Sequence, residues 1–227
     1  MKALVGRFGW PTIALCCVGL VALAGLTWWL GPSVLALSHG ARIGRTFYIP
    51  SQSMLPTLEV NDRLAPLRFR ATELRRGVVV VFKTQGEIRA ARIAAIGGDT
   101  IEMQNGVVAI NGKVADQRLV GIGPSFDGTA SRMLEESFPG EQGSHRILDI
   151  EPGLFDSVAA VRVDAGKLFL LGDNRDRAAD SRVSLQEMGV EQVRVGDVLG
   201  IVDSVYWSPT RSKIGRPIDD WDQRGVQ

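Results

Sequence analysis

The sequence predicts a mainly β domain of antiparallel strands standing behind a single N-terminal transmembrane helix. Three observations predict it. Residues 12–30 form a run of 19 without a charge. Beyond that run, β-branched stretches alternate with turn dipeptides, as at residues 78–82, Asn105-Gly106 and Asn111-Gly112. The length of 227 residues suits one domain with a real core and a small appendage.

The N-terminal residues 1–11 carry Lys2 and Arg7 and no acid, which places them on the cytoplasmic side by the positive-inside rule. Residues 12–30 would span about 28 Å as an α-helix, close to the thickness of a bilayer core. Trp10, Trp28 and Trp29 sit near the two ends, where indoles favour the interface. The rival reading is a cleaved secretion signal with Ala36-Leu37-Ser38 as a small-x-small site. The apolar stretch is long for that, which favours a retained anchor. Cys16 and Cys17, the only cysteines, lie inside this run and read as apolar filler. Their placement excludes a cysteine zinc site, a disulfide framework and a Cys/His metal cluster.

Residues 31–206 read as the extracytoplasmic domain. Beyond residue 38 there are 24 basic and 25 acidic residues, so no global charge invites nucleic acid. Residues 78–82 (VVVVF) form a β-branched strand, Thr84-Gln85-Gly86-Glu87 a turn, and residues 88–96 the returning strand. If Gln85-Gly86 is a two-residue turn, Val80 pairs with Ala91 and Phe82 with Arg89. Asn105-Gly106 and Asn111-Gly112 are hairpin signals bracketing residues 107–110. Residues 161–171 and 198–205 are further strand candidates. Residues 121–143, within a variable excursion over 113–160, are rich in Gly, Ser and acids and suggest little core. The segment 207–227 reads as a polar, loosely held tail.

Three stretches carry chemistry. The first is Ile49-Pro50-Ser51-Gln52-Ser53-Met54-Leu55-Pro56-Thr57-Leu58. The second is Ala91-Arg92-Ile93-Ala94-Ala95-Ile96-Gly97-Gly98-Asp99. The third is Gly172-Asp173-Asn174-Arg175-Asp176-Arg177-Ala178-Ala179-Asp180-Ser181-Arg182. In this order, behind one anchor, they resemble the signal peptidase I family of membrane serine proteases. The resemblance covers residues 40–206 and includes Pro139-Gly140 and His145-x-Ile147-Leu148.

The resemblance implies a β-rich, signal-peptidase-like catalytic domain on the outer face of a bacterial plasma membrane, lying against lipid. It implies no cofactor and no metal. It implies cleavage of exported preproteins after small residues, with the peptide bound extended beside neighbouring strands. Ser53 is then the nucleophile, and Ser51 joins the Ser53 backbone N–H in stabilising the oxyanion. Gly172, Asp180 and Arg182 match the third motif as supporting residues, with Asp180 the one expected to affect activity most.

The family activates its serine with a lysine that burial keeps neutral. That lysine's position is Ala91 here, and the serine that hydrogen-bonds it corresponds to Ala178. Two motifs have each lost the group that touched the other. The remaining bases are few: Lys2, Lys83, Lys113, Lys167 and Lys213, with His39 and His145, against 21 arginines. By register Lys83 faces away from Ala91. Arg89 shares the Ala91 face, but a guanidinium does not deprotonate. Lys113 and Lys167 read as solvated, Lys2 lies across the membrane, and His145 reads as a surface or strand-edge residue. Asp173, Asp176 and Asp180 with Arg175 and Arg182 read as a salt-bridged corner holding Ala178 near Ser53, rather than a Ca²⁺ loop. The expectations are therefore a signal peptidase or, alternatively, a pseudo-peptidase that binds exported peptides or modulates an active paralogue. A purely structural domain is a weaker third reading.

Overall fold

A computed structural model describes residues 10–38, 42–150, 153 and 155–219. His39 and Lys2 lie outside these residues. The chain begins with helix α1 (Trp10–Ser38), β1 (Phe47–Tyr48), β2 (Arg63–Leu64), β3 (Val79–Thr84) and β4 (Glu87–Ile96). It continues with β5 (Thr100–Gln104), β6 (Val107–Ile110), β7 (Lys113–Val114), β8 (Asp116–Phe126) and β9 (Thr129–Ser137). The last strands are β10 (His145–Asp149), β11 (Val158–Arg162), β12 (Lys167–Leu171), β13 (Val193–Arg194), β14 (Val198–Val202) and β15 (Val205–Trp207).

Helix α1 runs well past the expected 12–30 span. No charge lies between Arg7 and Ser38 in the sequence, and Pro32 lies inside the helix without ending it. Among its described side chains, Val18, Leu20, Val21 and Leu23 are exposed on the helix rather than packed into a core. By length and composition the segment Cys17–Leu35 is able to cross a membrane.

Every strand pair in the four sheets is antiparallel. The five-stranded sheet has the order β13-β12-β4-β3-β14, and the four-stranded one β11-β5-β6-β7. Two three-stranded sheets have the orders β1-β2-β15 and β10-β9-β8. The expected hairpins form as the turn chemistry requires. Gln85 and Gly86 both have positive φ (45° and 85°), so β3 and β4 join through a two-residue turn. Val80 then pairs with Ala91 and Phe82 with Arg89, as expected. Both Asn-Gly pairs also adopt positive φ and flank β6.

β12 explains why the apolar run of this region does not alternate. Leu168 and Leu170 enter one core with Val80, Phe82, Ala91 and Ile93. Phe169 and Leu171 enter a second core with Ile101, Met103, Ile110 and Phe138. Both faces of this strand are buried. A register shift opposite Phe169 and Leu170 leaves Ala94 as an extra residue in β4 and transfers the chain from one core to the other.

Four expectations are corrected. Residues 161–171 are two strands, because Gly166 at φ +74° allows a turn between β11 and β12. Residues 198–205 likewise divide into β14 and the start of β15. The segment 121–143 is no coreless excursion: β8 and β9 form a long hairpin that buries Phe126, Leu134 and Phe138. Its Gly and Ser residues fit this sheet, where Gly123 packs against Ser131 and Leu148. The described part of the tail is not loose either, since Gly215 N–H donates to the Val205 carbonyl and Ile218 N–H to that of Asp203.

Candidate active site

The Ser53 turn is built from its flanks. Met54 and Leu58 are fully buried in the first core, and Leu58 N–H donates to the Met54 carbonyl. Anchoring the turn on both buried side chains leaves Ser51 exposed and Ser53 half-buried at its crest. The two hydroxyls lie 3.1 Å apart. The third motif clamps the same turn: Asn174 N–H donates to the Ser53 carbonyl at 3.0 Å, and its side-chain amide donates to the Gln52 carbonyl at 3.1 Å.

Above the serines opens a cleft of about 570 Å³, lined on one side by β1 residues and on the other by β4 and the third motif. Ser51, Ser53, Ala91, Gly172, Ala178 and Asp180 all line it. Arg182 does not line the cleft; it grips Asp180 through both carboxylate oxygens at 2.9 Å. Asp180 in turn accepts the Gly172 N–H at 2.9 Å, which fixes the glycine against the Ser53 carbonyl.

The lining contains neither lysine nor histidine among the described residues. The register holds Ala91 on the cleft side, while Lys83, paired with Ile88, is exposed beside a different hollow that also includes Lys167. Lys113 is exposed at the β6–β7 turn, and Lys213 lies by Glu59. Arg89 does line the cleft, but its guanidinium is held by Glu87 and by the carbonyls of Ala179 and Met188.

The acid–base corner exists, with partners that the spacing did not show. Asp173 pairs with Arg92, a fully buried arginine inside the apolar β4, through two hydrogen bonds of 2.8 and 2.7 Å. Thr57 donates its hydroxyl to the same carboxylate, tying the first motif to the second and third. Burial alone would raise the Asp173 pKa, but the Arg92 charge and its hydrogen bonds outweigh it and hold the carboxyl below its usual range. A second carboxylate, Asp219 from beyond β15, also reaches Arg92. Arg175 turns away to Glu136, and Asp176 lies near Asp149 and Asp156. The sequence signal for the Arg92 network was a single charge among the otherwise apolar residues 90–96 at the end of β4.

His145 is corrected from a surface residue to a buried one. It sits on the edge strand β10 but is fully enclosed, between Glu136 at 3.1 Å and Glu141 at 2.9 Å. Arg175 completes this cluster against Glu136. It does not line the Ser53 cleft.

Residues 26–207 match the family described as signal peptidase, peptidase S26. The chain belongs to this signal peptidase family. It is 27% identical over 158 residues to a probable signal peptidase I-2 of Synechocystis sp., covering 65% of this chain and 59% of that protein. It is 33% identical over 117 residues to a signal peptidase I of Leptolyngbya laminosa, covering 46% of this chain and 58% of that protein. A signal peptidase I of Rickettsia akari is 28% identical over 191 residues, with 70% and 72% covered. The chain thus spans a little under three fifths of the length of the first two relatives. The signal peptidase I family is membrane-anchored, and the apolar α1 fits that character.

Proposed function

We propose that this member of the signal peptidase family takes the extended segment of an exported preprotein into the Ser53 cleft, with Ser53 placed to attack after a small residue. One observation carries the reading: both serine hydroxyls stand 3.1 Å apart in a cleft walled by strand β4 and the Gly172 loop. Ser51 is the oxyanion partner, and Asp180 with Arg182 holds Gly172 in place. The N-terminus lies in the cytoplasm and the β domain outside, in line with Lys2 and Arg7.

A second reading rests on the same lining. With alanine at positions 91 and 178, the cleft lining offers no lysine or histidine among the described residues to take the Ser53 proton. A serine protease stripped of its base keeps only ~10³–10⁴-fold catalysis over water, from positioning and oxyanion contacts. The protein then binds exported peptides, or modulates an active paralogue, without turning them over efficiently.

Purified full-length protein in detergent, given a preprotein with a small-x-small site, separates the two. Cleavage by the wild type that Ser53→Ala abolishes establishes the peptidase. Cleavage only after Ala91→Lys, alone or with Ala178→Ser, establishes an intact cleft lacking its base. Cleavage in none of these, with no binding of the peptide, overturns both.

A further inference from the structure

The segment 208–219 follows the family-matched residues and touches three separate parts of the molecule. On the serine side, Thr210 donates its hydroxyl to Glu59 at 2.7 Å, and Lys213 lies 3.3 Å from the same carboxylate and 3.7 Å from Asp62. Both acids belong to the loop that leaves the Ser53 turn. At its far end, Asp219 accepts hydrogen bonds from Arg92 Nη2 at 2.8 Å and Nη1 at 3.2 Å. Asp173 occupies Nε and also Nη2, so one buried guanidinium serves two carboxylates.

The third contact is to the membrane helix. Pro32 stands four residues after Trp28 and has no N–H, so the Trp28 carbonyl lacks its usual i+4 helical donor. Arg211 reaches this point, donating to the Trp28 and Trp29 carbonyls while its guanidinium lies 5.1 Å from the Trp29 ring centroid. A guanidinium is costly in hydrocarbon and indoles prefer the interface, so this contact marks the level of the membrane surface.

We propose that residues 208–219 are a strap joining the membrane helix to the Ser53 cleft, with Arg211 and Asp219 as its attachment points and Asp219 a positioning residue. From Asp219 the path runs through Arg92 to Asp173 and Thr57, and from the adjacent Asn174 to the Ser53 carbonyl. The strap thereby fixes the serine turn relative to the lipid surface from which an exported chain emerges. It does not depend on whether the cleft is catalytically active.

Hydrogen exchange of the full chain in phosphatidylethanolamine/phosphatidylglycerol nanodiscs tests this. Arg211→Gln and Asp219→Asn should each speed exchange several-fold in peptides covering 54–60 and 172–176, with the β5–β6 hairpin unchanged. The double variant should exchange no faster than the faster single one, because cutting a strap twice adds nothing. Asp219→Glu should restore protection. Multiplying effects in the double variant, or no effect of Arg211→Gln near Ser53, would overturn the strap.

Discussion

Gly172 and Ala178 are packed so closely that a Cβ on Gly172 would lie 2.2 Å from the Ala178 methyl carbon and 2.8 Å from the Ser53 carbonyl oxygen. Only a residue without a side chain lets the third motif lie against the serine turn at this distance. Gly172→Ala is therefore expected to destabilise the domain by about 1–3 kcal/mol through overpacking against backbone. Thermal unfolding in detergent should show a fall of about 2–4 °C per kcal/mol for a chain of this size. An unchanged midpoint would mean that the turn yields freely.

Arg92→Lys should also destabilise, by about 2 kcal/mol or more. The arginine makes paired hydrogen bonds to Asp173 and to Asp219 and a further one to the Gly77 carbonyl at 2.6 Å. A lysine keeps the charge but lacks the planar fork, so a buried carboxylate loses partners. Urea unfolding of the two proteins side by side measures the difference. Asp173→Asn in the Arg92→Lys background should add little, because the two residues act as one unit.

Acid and base limits of stability follow from the Glu136 cluster. Burial would raise the Glu136 pKa, but Arg175 and His145 outweigh it and bring it from 4.5 to about 2. A depressed carboxylate stabilises the fold above 4.5 and loses that contribution as pH falls toward 2. Burial and the Arg92 charge would lower the His145 pKa, but hydrogen bonds to Glu136 and Glu141 outweigh them and raise it. Its contribution is complete below 6.5 and fades as pH rises through the folded value. Maximal stability is expected between about pH 4.5 and 6.5 from this cluster. Glu136→Gln should lower stability at pH 5.5 by about 3 kcal/mol, leaving Arg175 buried without its anion, and should flatten the acid limb of the pH profile.

The hairpins were legible in the sequence because their information is local. Gln85-Gly86 and the two Asn-Gly pairs specify positive φ by themselves, and the period of two then carries the register to Ala91. The motif residues were legible as a set, and the fold brings six of the seven to one cleft. What stayed hidden depends on contacts distant in sequence. Arg92 to Asp219 spans 127 positions and Arg175 to Glu136 spans 39, and no short pattern encodes either. The burial of His145 was hidden although Glu136 and Glu141 are only nine and four positions away, because it depends on the pairing of β9 with β10 and on Arg175 reaching Glu136, which no short motif announces. The hairpin of β8 and β9 was missed because its polar composition suits a sheet with one wet face, which reads like a loop when taken residue by residue.

Ala91 marks the place in the cleft where a base could be housed. Its side chain is 4% exposed, faces the cleft and packs in the core that holds Val80 and Ile93. A lysine introduced there leaves water on entering this apolar wall, and burial disfavours its charged form, so its pKa falls below the ordinary ~10.4. In Ala91→Lys, any cleavage gained should rise with pH to a plateau, since only the neutral amine takes the Ser53 proton. The midpoint should lie well under the ordinary lysine value. Ala178→Ser should raise the rate further by giving the amine a hydrogen-bond partner within the same lining. Lys83→Ala in this background should change nothing, because residue 83 is exposed and belongs to a different hollow. A midpoint near 10, or a loss of activity on removing Lys83, would show that position 91 is not the pocket in which this fold houses a base.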